Sequence, residues 1–231
     1  MLFFGGIILD KLGIRFTGVL STALMVVGVL IKYVAVSTDF HGAVFSLGSF
    51  QLPMSAAVAC LGFAIFGVGC EITGITISKT ITKWFTGHEL ALAMGVQVAL
   101  ARLGTAAALS ANLPMAKATS LGIQLPVIVG AALLIAGFLG FLVYNVMDRR
   151  LDASIAAVDG ESVTEEAEDE SFKFSDLGKI FSNPGFWLIA LLCLLFYSGV
   201  FPFLKFATKL MISNYGVAEE YAGLIPGLLP F

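Results

Sequence analysis

Glu71 and Arg102 are a carboxylate and a guanidinium set inside long apolar runs, "FGVGCEITGI" and "GVQVALARLG". A charge at the centre of a bilayer costs ~2.5–3.5 kcal/mol even on a lenient scale, so each needs a partner or a water-filled cavity. Two kinds of chemistry suit them. They can hold each other as a structural salt bridge, although a buried pair often adds little over apolar packing. Or they can hold a zwitterion, with Arg102 gripping a carboxylate bidentately and Glu71 meeting an ammonium group. Gln97 and Thr105, on the helix of Arg102, add neutral hydrogen-bonding groups. Tyr197, Phe201 and Phe203 flank Pro202 in "FYSGVFPFLKF". Proline removes a backbone hydrogen bond, so this helix is expected to kink or break there. Broken helices at membrane depth line cavities, and the aromatics fit either a gate or plain packing.

The elements that position these residues are membrane spans. Of the 231 residues, 58% are hydrophobic and 13% charged, with mean hydropathy +0.95. A soluble domain has about 25% charged residues, so a water-soluble enzyme, a disordered chain and a nucleic-acid binder are all excluded. A span needs ~20 mostly apolar residues. Residues 16–36, 53–77, 90–112, 122–147 and 186–204 qualify. Residues 2–9 and 221–231 read as stubs of further spans, so both ends of the chain are expected to fall inside membrane segments. Lys11, Arg15, Lys79, Lys83, Arg149, Arg150, Lys173 and Lys179 occupy alternate connections, which places these connections in the cytoplasm. On that topology Glu71 lies roughly 12 Å from the inner end of its helix and Arg102 roughly 20 Å from the inner end of the next. Side chains lean toward the N-terminus of their own helix, so the two tips converge near mid-membrane. Lys32 and Lys205, near outer ends, are expected to snorkel toward water.

The inner turn "GGIILDKLGIR" carries Gly6, Asp10, Lys11, Gly13 and Arg15. Gly6 is expected to admit a neighbouring helix and Gly13 to allow a tight turn. Asp10 can cap the following helix or accept from a neighbouring helix end. Residues 148–182 crowd acidic groups into "DGESVTEEAEDES" and read as a solvated cytoplasmic linker. A short interfacial helix with Ile180 and Phe181 is expected to end before Pro184. Cys60, Cys70 and Cys193 read as small buried hydrophobes. His41 and His88 both sit at loops, and no metal cluster or nucleophile–base set is visible, so neither enzyme activity nor a cofactor is expected.

The spacing Gly6-x-x-x-Asp10-Lys11-x-Gly13-x-Arg15 resembles a loop motif of the major facilitator superfamily, found between its helices two and three. There the Asp locks one conformation of an alternating-access cycle. The resemblance implies an all-α membrane fold, here partial: a stub of helix two, helices three to seven, and the start of helix eight. It divides the chain into an amino-terminal bundle (1–147), a linker (148–182) and the start of a second bundle (183–231). "FGVGCEI", "KWFTGHELALAMGVQVALARLG" and "FYSGVFPF" are similar to segments of a narrower family, major facilitator superfamily domain-containing protein one, which includes lysosomal dipeptide transporters. That resemblance implies uniport of dipeptides, with Glu71 and Arg102 contacting the substrate termini; Gln97 and Tyr197 join them as candidate substrate-binding residues on their own chemistry. It also implies an accessory membrane glycoprotein if the animal role applies. The alternatives are proton-coupled transport of another organic solute or drug, and a non-transporting membrane scaffold. The chain lacks the glycine-proline motif of drug antiporters in its third span. The diverged linker and bare loops favour a cell (inner) membrane over a lysosomal one.

Overall fold

A computed structural model of the chain describes residues 2–47, 50–85, 88–159, 178, 181–219 and 221–228. Helix α1 runs Leu2–Ser37. A two-stranded antiparallel hairpin follows, β1 (Val44–Leu47) paired with β2 (Phe50–Pro53). Then come α2 (Met54–Trp84), α3 (His88–Ala118), α4 (Gln124–Asp159), α5 (Pro184–Tyr215) and the short α6 (Leu224–Gly227). Five of these helices are long and apolar enough to cross a membrane. Their large apolar side chains face outward, as with Leu133 (69% exposed) and Leu192 (68%). In a bilayer the lipid supplies the apolar surroundings that a soluble protein must build as a core.

Three expectations change here. First, Asp148 is no part of a solvated linker, because α4 continues through it to Asp159. The rest of that segment lies largely outside the described residues, as does Ile180. Second, α5 is not broken at Pro202 but runs through it. The ring costs one backbone hydrogen bond, and the turns on either side keep theirs. Third, Cys60, Cys70 and Cys193 are exposed rather than buried, since a small apolar side chain needs no protein cover within lipid. The hairpin between α1 and α2 was not expected from the sequence.

The chain forms two compact units, residues 1–90 with 123–171, and residues 91–122 with 172–231. In the first, α1 packs along α2 through small residues. Ser21, Gly28 and Ala35 are buried on one helix, and Gly62, Gly69 and Thr76 on the other, each set recurring every seven residues. A seven-residue repeat keeps facing positions in line as two helices wind around each other. The approach is close enough to require glycine. A Cβ on Gly69 would stand 2.6 Å from the Ser21 carbonyl oxygen, and one on Gly62 2.8 Å from that of Gly28. Thr73 Oγ1 donates to Ser21 Oγ across the seam (2.9 Å), the polar contact that holds helices where burial of apolar surface gives no drive. Helix α4 joins this pair where the Phe141 ring fills the space beside Gly18.

The second unit contains most of α3, with α5 and α6. Asn183 caps α5, its side-chain oxygen accepting from the Gly185 amide (2.8 Å), and Pro184 opens the first turn, where it costs no hydrogen bond. Gly216 ends the helix in the left-handed region (φ 62°). Ala222, Gly223, Pro226 and Gly227 are then buried around α6.

Candidate functional site

Helix α1 turns sharply at Gly13, whose φ of 77° and ψ of 170° suit glycine alone. The turn leaves Asp10 on one segment and Arg15 on the next, at the end that the basic residues assign to the cytoplasm. Asp10 does not cap the second segment. It accepts from Lys79 Nζ on α2 (2.6 Å). Arg15 reaches α4, with Nε on Asp148 Oδ2 (2.6 Å), Nη2 on the Asp148 carbonyl oxygen (3.1 Å) and a further bond to Asp152. Lys83, from the last turn of α2, reaches Asp148 (2.9 Å) and Asp152 (2.8 Å). Tyr144 and Trp84 complete the cluster, the Tyr144 hydroxyl at 3.0 Å and Trp84 Nε1 at 3.2 Å from Asp148 Oδ1. Asp148 is 1% exposed, so its charge is tolerated only because two cations and two neutral donors surround it.

A cavity of about 430 Å³ lies around this turn, lined by Asp10, Gly13, Arg15, Lys79, Lys83, Asp148 and Asp152 among others. Its three cations face three carboxylates, so it has no excess charge with which to attract an ion. The arrangement ties α1, α2 and α4 together electrostatically. Lys11 is exposed.

Gly6 does not serve as the expected close-approach position, since no atom of the described residues lies within 4 Å of where its Cβ would stand. Gly5 does, because the rotation of α1 turns that residue toward α2, where a Cβ would stand 2.9 Å from Ile72 Cγ1. Lys32 does not snorkel outward. Its stem crosses α2 at Gly62, and its ammonium lies over the ring of Phe66, 4.4 Å from the centroid. The side chain leans toward the N-terminus of its own helix, which is inward here, and the cation–π contact holds it.

Glu71 is exposed on α2 within the first unit, on the side opposite Gly62, between Gly67 and Gly74. Those two glycines have open space where their side chains would stand, whereas Gly69 packs on α1. Among the described residues of this unit, the lysine and arginine ion pairs join Arg15, Lys79 and Lys83 to Asp10, Asp148 and Asp152, and leave Glu71 out. Arg102 and Gln97 lie on α3 of the second unit, Arg102 exposed and Gln97 half-buried. They are five positions apart and so point to different sides of the helix. Thr105 spends its hydroxyl on the Ala101 carbonyl of its own helix (3.1 Å). Tyr197 is exposed on α5 and stacks on Phe201, ring centroids 5.1 Å apart. The structure therefore brings Asp10 and Arg15 into one cluster and pairs Tyr197 with Phe201.

Asp148, Lys83, Trp84 and Tyr144 escaped the sequence reading. The signal was present, since Tyr144 and Asp148 share one helix face at a four-residue spacing, but the acidic run after them drew Asp148 into the linker.

Spanning helices, a glycine turn and a charge cluster at one end of the bundle describe a multi-pass integral membrane protein of the facilitator type. The chain belongs to the Major Facilitator Superfamily, whose family model matches residues 1–231. Among curated proteins it is similar to the lysosomal dipeptide transporter MFSD1 of Bos taurus, Homo sapiens and Danio rerio. Each is 26% identical over 96% of this chain and 45% of the relative. The chain thus spans a little under half the length of these relatives. No solved structure matches it.

Proposed function

We propose that the chain is part of a transporter moving dipeptides or similar small zwitterionic solutes by alternating access, as a uniporter. Glu71 receives the substrate ammonium and Arg102 its carboxylate, and Gln97 and Tyr197 are further substrate-binding residues. The observation that carries this is the state of Glu71. It is an acid within a spanning helix, flanked by glycines that leave room around it, and outside the ion pairs found among the described residues of its unit. An acid so placed at membrane depth calls for a cationic group or water. The relatives, lysosomal dipeptide transporters, supply the substrate class.

On this reading residues 1–147, with the continuation of α4 to Asp159, belong to one bundle and residues 183–231 open a second, joined by the acidic remainder of 148–182. Gly6, Asp10, Lys11, Gly13 and Arg15 form the turn that changes state between inward and outward conformations. The working membrane is the cell (inner) membrane, with the lysosomal membrane as the alternative. An accessory glycoprotein enters only in the lysosomal case.

The test is dipeptide flux in liposomes carrying the full reading frame around this chain. Arg102→Ala abolishes flux on this reading, and wild-type flux in that variant refutes the site. An exposed carboxylate at Glu71 also suits proton coupling. Uptake that follows a pH gradient and loses that dependence in Glu71→Gln identifies the proton-coupled alternative.

A further inference from the structure

The connection between α1 and α2 holds no lysine or arginine, which places it on the outer side of the membrane. It carries two kinds of sequence. Asp39 and His41 are exposed, and the His41 amide donates to Asp39 Oδ1 (3.0 Å). His41 and Gly42 then turn the chain with positive φ, 50° and 75°, into the hairpin β1–β2. From Gly42 to Cys70 there is no Asp, Glu, Lys or Arg. In composition the hairpin is thus continuous with the span that follows it. It is also tied to that span. The amide of Met54, which opens α2, donates to the Ala43 carbonyl (2.8 Å) and closes the base of the hairpin at the outer end of the helix.

The register pairs Val44 with Pro53, Phe45 with Leu52, Ser46 with Gln51 and Leu47 with Phe50. Successive pairs alternate between the two faces of a sheet. Ser46 and Gln51, both exposed, therefore share one face, and Phe45 and Leu52 share the other. Among the described residues this sheet has two strands, and Phe45 stays 43% exposed. A two-stranded hairpin is marginally stable at best in water unless something covers an apolar face. Its open edges exclude the hydrocarbon core, where free N–H and C=O groups find no partner. The headgroup layer meets both demands, because one face can reach acyl chains there while the edges reach water.

We propose that the hairpin lies flat on the outer leaflet, with the Phe45–Leu52 face at the boundary of headgroups and acyl chains and the Ser46–Gln51 face toward water. The partner is a neutral lipid surface, since no charged side chain within the hairpin selects an anionic one. An interfacial apolar face of this kind sinks about 5–10 Å. It holds the outer ends of α1 and α2 at one depth, and it requires no substrate.

Spin labels on single cysteines test this in phosphatidylcholine liposomes. The protein is the full reading frame with every cysteine, Cys60, Cys70 and Cys193 among them, replaced by alanine. At Phe45→Cys and Leu52→Cys the label meets oxygen, which concentrates in lipid, several-fold more than it meets a water-soluble nickel chelate. At Ser46→Cys and Gln51→Cys the order reverses. A label on Cys60 alone, exposed within α2, reads deeper than any of these and shows that the span is in place. Nickel dominating at all four positions overturns the proposal. So does a label at positions 45 and 52 that neither reagent reaches, because protein then covers the face. Phe45→Trp keeps an aromatic ring at the site and serves where a labelled variant folds poorly. Its added emission over the parent is quenched by lipid brominated near the headgroup end of the acyl chain, and no quenching overturns the proposal as well.

Discussion

The guanidinium of Arg15 is bonded to the carboxylate of Asp148, which is 1% exposed, through Nε and Oδ2 at 2.6 Å. This bond joins the first and third spans of its unit just beyond the Gly13 turn. Removing the acid takes from Arg15 and Lys83 the more buried of their two acceptors. Asp148→Ala is expected to cost about 2–4 kcal/mol, at the lower part of the range for a broken buried pair because Asp152 still accepts from both. Asp152 is 45% exposed, so Asp152→Ala should cost less than about 1 kcal/mol. Thermal unfolding of the detergent-solubilised protein ranks the two, and equal losses would contradict the cluster as described.

The glycines of α2 separate by face. Gly69→Leu drives a side chain into the Ser21 carbonyl and Met25, and should cost about 3 kcal/mol or more. Gly74→Ala meets open space and removes a flexible residue from a helix interior. It should be neutral or stabilising by up to about 1 kcal/mol. The same thermal measurement reads both.

Glu71→Gln keeps the size of the side chain and removes its charge. If the carboxylate meets a substrate ammonium, the apparent affinity for dipeptides falls by at least about 30-fold, as when one partner of a buried charge pair is lost. Competition by an N-acetylated dipeptide, which has no ammonium group, should be weak in the parent. Strong inhibition by that compound would count against the role given to Glu71.

Beside the Lys117 ammonium, the Glu219 carboxyl is held below its ordinary 4.5. A depressed acid contributes its contact above its ordinary pKa and loses it only as pH falls through the lower, folded value. The loss of thermal stability in Lys117→Ala should therefore be small and the same from neutral pH to about 5. A loss that shrinks within that window would show the pair breaking at too high a pH.

Some of this was legible without coordinates. The five spans follow from length and apolar content, because an unpaired backbone cannot lie in lipid and only helices satisfy runs of this kind. Gly13 was legible for the same local reason, since a turn between two apolar segments needs a residue free of a Cβ. The choice between Gly5 and Gly6 was not. Both are glycines, and only the rotation of α1 against Ile72 selects between them. Lys32 reads as a snorkelling lysine until Phe66 is known to lie within its reach.

The sequence alone determined that the chain is helical and membrane-spanning, which end of each span faces the basic side, and which charges sit at membrane depth. Those properties depend on residue type and position along one strand of chain. Tertiary structure decided what the charges touch. It took Asp148 from an acidic run and made it the acceptor for Arg15 and Lys83. It also set Gly223 and Gly227 against α3. Such contacts join residues far apart in the chain, and they depend on the rotation and close approach of whole helices, which no local pattern specifies.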